Sequence, residues 1–227
     1  MKTAVFPQLQ VHEMWTVFDD PDVPVIEIRC IWPKGIEPSR GTNSRCFDRA
    51  QYQSEQAFRS AVESYVTQMN KQGYNLYTTL NPLKAGMGKF SAANDDDVIC
   101  RRRLLIDIDR DAGKEHPATD ADILAAKALG DQIASHLDGL GWPAPVRILS
   151  GNGHHLIYPL DDLPNSKETT NSIRVLLQCL KAKFSSNGLS VDTTVSNASR
   201  VTKLPGTLAR RGTEITNHPY RVARIYA

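Results

Sequence analysis

A chain of 227 residues has room for one large domain or two small subdomains, and 41% apolar with 23% charged residues is ordinary globular usage, which excludes a disordered chain. No run approaches the ~18 consecutive apolar residues that cross a bilayer, and the N-terminal MKTAVFPQLQVHEMW lacks the apolar stretch of a secretory signal. The net charge of +2 is unevenly spread: six basic residues stand against Glu214 alone from Arg200 onward, while acids gather at 95–97 and at Asp107, Asp109 and Asp111. A fold that joins these two groups suits metal ions and polyphosphates.

The four cysteines are far apart with no C-x-x-C pair, so the expectation is reduced thiols in the cytoplasm, not a disulfide framework or zinc ribbon. Residues 23–32 read as a strand and 33–49 as a Gly/Pro/Ser/Asn-rich loop. Ser54 can cap a helix whose stripe of Ala57, Phe58, Ala61, Val62, Tyr65, Val66 and Met69 is core packing, with Gly73 as its stop. A strand over 74–80 and a polar loop follow. The second half is sharper: a strand over 100–109, a helix over 120–137, short strands over 146–150 and 154–159, a helix over 167–184, and an extended stretch after Val191. This β-α-β-β-α-β order predicts an α+β chain with a ferredoxin-like, RRM-like unit. We expect that unit over 99–227, packed on an N-terminal α/β subdomain over 1–98, with the active site in the cleft between them.

Within 103–109, alternation puts Leu104, Ile106 and Ile108 on one face and Leu105, Asp107 and Asp109 on the other. Two carboxylates at i and i+2 lie roughly 6.6 Å apart at ~3.3 Å per residue. Beside an apolar core such a pair calls for a neutralising cation, for which Mg2+ or Mn2+ with their hard oxygen ligands are suited. The alternative is a strand that ends in solvent. Ser150-Gly151-Asn152-Gly153-His154-His155 joins two strands by glycines that permit positive φ, either as a phosphate cradle or as a plain hairpin turn. Alternation does not decide which histidine faces the aspartates. Asp192, Arg200 and Lys203 would approach the same sheet face if the stretch after Val191 is its last strand. Of Arg101, Arg102 and Arg103, at least one is expected to reach solvent, with nucleic-acid contact as one reading. Gly86-Met87-Gly88-Lys89 lacks the upstream glycine and following Ser/Thr of a P-loop.

Together these pieces resemble the primase-polymerase branch of the archaeo-eukaryotic primase superfamily, common in plasmid, phage and other mobile-element replication proteins. The hydrophobic run ending D-x-D matches 104–109, Ser-Gly-x-Gly-x-His matches 150–155, and hydrophobic-Asp matches Val191-Asp192. Asn197 to Thr207 and His218-Pro219-Tyr220-Arg221 are similar to the family's downstream segments, so the likeness spans about 74–225. The resemblance implies a DNA primase/polymerase, a nucleotidyltransferase that makes and extends primers in DNA replication. It implies Asp107, Asp109 and Asp192 as catalytic ligands of two Mg2+ or Mn2+ ions. Ser150, Gly151, Gly153, His155, Arg200 and Lys203 would bind the incoming NTP or dNTP, with backbone donors from the glycine turn. Arg210, Arg211 and Arg221 would contact nucleic acid. The implied partners are single-stranded DNA template and primer, and a helicase domain or replication initiator; no membrane is involved. His154 occupies a slot that is often aromatic, and no zinc-binding insertion is visible. Three other readings stay open: a metal-dependent replication nickase, which needs His-hydrophobe-His and a tyrosine nucleophile; a nucleotidyl cyclase; and a non-catalytic nucleic-acid-binding module serving a replication initiator or helicase.

Overall fold

The computed structural model describes residues 8–185 and 188–226. A 3₁₀ turn at Val11–Met14 runs into α1 (Trp15–Phe18), a short buried entry that the sequence pattern does not announce. β1 (Val25–Ile31) pairs antiparallel with β2 (Asn43–Asp48), which lies inside the segment expected to be loop. The composition of β2 is poor for a strand, yet Cys46 and Phe47 are buried and β1 supplies a full ladder. α2 (Glu55–Lys71) starts at Ser54, whose side chain accepts from Ala57 N–H, and buries Phe58, Val62 and Val66. Such a cap contributes about 1 kcal/mol. β3 (Asn75–Thr79) follows on the other side of β1.

β4 (Cys100–Arg110) opens the second unit. α3 (Asp120–Asp138) begins in a capping box between Thr119 and Asp122, and β5 (Val146–Leu149) and β6 (His154–Pro164) follow. α4 (Lys167–Phe184) leads to β7 (Leu189–Val191). The remaining strands are β8 (Val201–Lys203), β9 (Leu208–Ala209), β10 (Arg221–Val222) and β11 (Arg224–Tyr226). The second sheet runs β11-β5-β6-β4-β7. Its strands β7-β4-β6-β5 have the order of the ferredoxin-like unit, which makes the aspartate strand central. Ile106, Ile108, Leu156 and Tyr158 on one face are fully buried in one cluster with Leu129, Ile133, Leu137, Ile173 and Leu177 of the two helices.

The first sheet runs β2-β1-β3-β8. β8 therefore leaves the unit that sequence order suggests and pairs with β3, placing Lys203 opposite Tyr77. The stretch directly after Val191 does not continue the second sheet beside β7, and the chain returns to that sheet only at β11, on the opposite edge against β5. Two buried asparagines fix the segment beyond β8. Asn70 donates to Leu208 O and accepts from Leu208 N–H, and Asn75 does the same with Arg210, each at 2.8–2.9 Å. Each carboxamide thus imitates one rung of a strand ladder. Leu105 and Ile157, on the aspartate side of the second sheet, share the buried cluster with Trp15, Phe18, Leu76 and Leu204. That side is filled at one end and open at the other, where Asp107 and Asp109 emerge. No helix among the described residues is long and apolar enough to cross a membrane.

Candidate active site in the cleft between the sheets

The open end forms a cleft of about 130 Å³ lined from one side by Asp107, Asp109, Ser150, Asn152 and His155, and from the other by Tyr77, Lys203, Arg210 and Arg211. Alternation along β4 sends both aspartates into it, each half-buried. Across the ladder Asp107 pairs with His155, so His155 shares its face, while His154 turns to the helices. The ambiguity of the histidine pair is resolved by α3. His154 is fully buried, its ring lies where a Cβ on Gly130 would sit, and its Nε2 is hydrogen-bonded to Tyr226 Oη. Burial, helped by neighbouring positive charge, pushes His154 down to about 3, so it is a neutral packing residue.

His155 Nε2 lies 3.4 Å from Asp107 Oδ1, and its Nδ1 is 3.1 Å from Thr202 Oγ1 of β8, a bridge between the two sheets. Burial alone would raise the Asp107 carboxyl. Attraction to His155 and its hydrogen bond, then to Arg200 and Lys114, outweighs burial and holds Asp107 below its ordinary value. Asp109 Oδ1 accepts from the Arg110 N–H, and its Oδ2 is 3.1 Å from Lys114 Nζ and 3.8 Å from Arg211. Lys203 is almost fully buried, with Nζ 2.7 Å from Thr207 Oγ1 and 3.4 Å from Leu208 O; burial and nearby Arg210 lower its pKa far below that of a free lysine. Tyr77, whose phenol burial pushes up to about 12, faces the aspartates as a protonated donor.

The turn at 150–153 is clamped from both sides. A Cβ on Gly153 would fall 2.4 Å from Ile108 O, and one on Gly151 (φ +95°) would fall 2.5 Å from Ala209 Cβ. Only glycine permits that approach, which sets Ser150 and Asn152 against β4. The Gly153 N–H, expected as a phosphate donor, instead bonds Ser150 Oγ at 3.1 Å, leaving the Ser150 hydroxyl proton to donate.

Asp192 is brought beside Asp107 by a 2.8 Å bond from its N–H to Asp107 O. Its Oδ1 is turned onto Thr194 N–H and Oγ1, so its carboxylate does not line the cleft. Arg200 bonds Asn197 Oδ1 at 3.0 Å and acts on Asp107 through its charge. Arg221 pairs with Asp120 and bonds Ala118 O, away from the cleft lining. The arginine run is also occupied internally. Arg101 and Arg103 are buried, and Arg102 bonds Asp22 and Asp162, so none of the three projects freely into solvent as expected. Asn75, Tyr77 and Asn152 are cleft residues the sequence pattern did not mark; each lies on a short strand or turn whose facing becomes known only after pairing.

Among the described residues no three of His, Cys, Asp and Glu converge into a ready-made metal cage. Two carboxylates opening on a cleft are nevertheless a donor set that fits Mg2+, which takes one or two carboxylates and fills its other positions with water and substrate phosphate. Of the tyrosines outside the cleft, Tyr158 is fully buried and the Tyr220 hydroxyl is tied to Gly212 O, so neither is placed as a nickase nucleophile.

No protein-family model matches the chain, and no curated protein matches it in sequence. Solved structures that share its fold include three of primases or polymerases. The archaeo-eukaryotic primase domain of the cyanophage S-2L primase-polymerase superposes with a TM-score of 0.55 at 15% identity, over 97% of this chain and 91% of that one. Primase RepB′ gives 0.54 at 10% identity, over 96% of this chain and 56% of its own. The polymerase domain of Mycobacterium tuberculosis Ligase D, in complex with DNA, gives 0.52 at 18% identity over 90% and 74%.

Proposed function

We propose that this chain, which has the primase-polymerase fold of the archaeo-eukaryotic primase superfamily, catalyses template-directed nucleotidyl transfer to make and extend DNA primers. The observation that carries this reading is the placement of Asp107 and Asp109 side by side on one cleft wall, facing Lys203, Arg210 and Arg211 on the other. Carboxylates opposed by cations across a small polar cleft suit a metal–polyphosphate complex.

In this reading Asp107 and Asp109 hold Mg2+ or Mn2+, and Asp192 joins them once its carboxylate leaves Thr194. Two such ions, when bound, would supply Lewis-acid activation of a 3′-hydroxyl and charge neutralisation on the leaving pyrophosphate. His155, fixed by Thr202, presents Nε2 to the carboxylate and phosphate region, and the Ser150 hydroxyl donates to a phosphate oxygen. Lys203 on the cleft wall and Arg200, whose charge reaches Asp107 from outside the lining, would orient the nucleotide's phosphates. Gly151 and Gly153 contribute close approach to β9 and β4 instead of a row of donors. Arg210 and Arg211 stand at the cleft where a template or primer phosphate would pass, whereas Arg221 acts as a strut. Single-stranded DNA and NTP or dNTP are the substrates proposed, with a helicase domain or replication initiator as partner.

The test is extension of a labelled primer on single-stranded DNA with Mg2+ or Mn2+. Asp107→Asn and Asp109→Asn keep side-chain volume but remove the charge. Each should lower extension by about 100-fold or more, as expected when electrostatic stabilisation of the transition state is lost. Extension near the wild-type rate in both variants would overturn the assignment.

A further inference from the structure

Lys114 belongs to none of the motifs, yet it meets a carboxylate of the cleft. Its Nζ lies 3.1 Å from Asp109 Oδ2, although the lysine side chain is 45% exposed. It sits in the connection from β4 to α3, a segment without strand or helix, where a lysine would ordinarily extend into solvent.

That connection is strapped down. Arg110 donates to His116 O at 2.9 Å, and Asn152 Oδ1 accepts from Ala118 N–H at 3.1 Å. The His116 ring donates to Thr213 O, and the His218 ring donates to Pro117 O. Gly212 is seated so closely on the segment that a Cβ there would fall 1.8 Å from Glu115 O. Arg110 follows Asp109 directly and Asn152 lines the cleft, so two anchors belong to the cleft wall itself. The backbone that carries Lys114 is therefore held against the cleft wall, which keeps its ammonium within reach of Asp109.

We infer that Lys114 is a resident competitor for the divalent ion at Asp109: its ammonium holds a carboxylate oxygen that the ion must take, and it leaves when the ion enters. This rests on the metal reading of Asp107 and Asp109. The consequence is a threshold. The carboxylate pair stays neutralised by the protein's own charge until the ion is abundant enough to displace it.

The experiment measures Mn2+ binding to the full chain without nucleotide, reading free Mn2+ by electron paramagnetic resonance. Lys114→Met should tighten Mn2+ binding about fivefold, the upper range for a partly exposed ion pair, and Lys114→Arg should bind as wild type. Displacement is read separately by acetylating surface amines and quantifying the Lys114 peptide by mass spectrometry. Labelling should rise when saturating Mn2+ is added to wild type. Unchanged affinity in Lys114→Met, or tightened affinity with Mn2+-independent labelling, overturns the inference, the second reducing Lys114 to a distant charge. Asp109→Asn separates the two claims. If it binds Mn2+ as wild type does, the metal reading fails; if it loses the ion while Lys114→Met changes nothing, only the competitor role fails.

Discussion

Replacing Gly130 by alanine tests how α3 and the histidine pair are fitted together. In mid-helix alanine is normally the better residue by about 1 kcal/mol. Here a Cβ would fall 2.0 Å from His154 Nδ1 and 2.3 Å from its Cε1, well inside the 3.0 Å that real contacts respect. The ring cannot retreat easily, because it is fully buried and tied on its other side to the Tyr226 hydroxyl, whose ring lies 5.3 Å away. Overpacking a filled core costs about 1–3 kcal/mol, and a clash this deep belongs in the upper half. Subtracting the propensity gain leaves a net loss of about 1–2 kcal/mol, a fall in Tm of roughly 2–8 °C for a chain of this size. Thermal and urea melts of Gly130→Ala read this directly. In Gly130→Ala/His154→Ala the clash disappears and the two changes become strongly non-additive. A rise in Tm on Gly130→Ala, or additive effects in the double variant, would refute the packing argument and with it the reason His155, not His154, faces the cleft.

Two further outcomes follow from buried titratable groups. His154, lowered to about 3 by burial, stays neutral in the fold while the unfolded chain protonates near 6.5. Its contribution to stability is therefore intact above about pH 6.5 and is lost as pH falls toward 3, at about 1.4 kcal/mol per unit. His154→Gln should flatten the stability–pH curve between about pH 6.5 and 5, measured by urea titration; an unchanged slope would show that the histidine is protonated in the fold. Lys203 is a buried lysine held by a hydroxyl and carbonyls, with no carboxylate within ion-pair distance among the described residues. Lys203→Met should leave stability unchanged or raise it by up to about 1 kcal/mol. Nucleotide affinity should drop about tenfold in calorimetry, the loss of one charge-assisted bond; a large loss of stability with affinity retained would make Lys203 structural only.

The aspartate strand was legible because its chemistry and its period coincide: apolar residues at 104, 106 and 108 leave 107 and 109 facing the cleft, and β4 has that register. The helices were legible from caps, since Ser54 starts α2 where expected. Residues 201–203 were misplaced for a physical reason. A three-residue strand has no period of its own, and its partner β3 lies over 120 positions earlier. The same pairing buries Lys203, which local sequence offers as a surface cation. β2 was hidden by loop-like composition and is a strand because β1 is there to pair with. Backbone pairing sets Asp192 next to Asp107, but the turn formed by Thr194 rotates its carboxylate away, a detail beyond any pattern of residue types. Lys114 and Asn152 lie in connections, where sequence spacing carries no information about facing.

The central claim is that the cleft joins nucleotides as a template directs. It is tested most directly by offering the protein, with Mn2+, one labelled nucleotide at a time on templates of differing sequence, with and without a primer. Only the nucleotide complementary to the next template base should be incorporated, and Asp107→Asn should abolish this; products without primer would establish priming as well as extension. Tight DNA binding with no incorporation on any template would contradict it, and would make the chain a nucleic-acid-binding module that carries the fold without the chemistry.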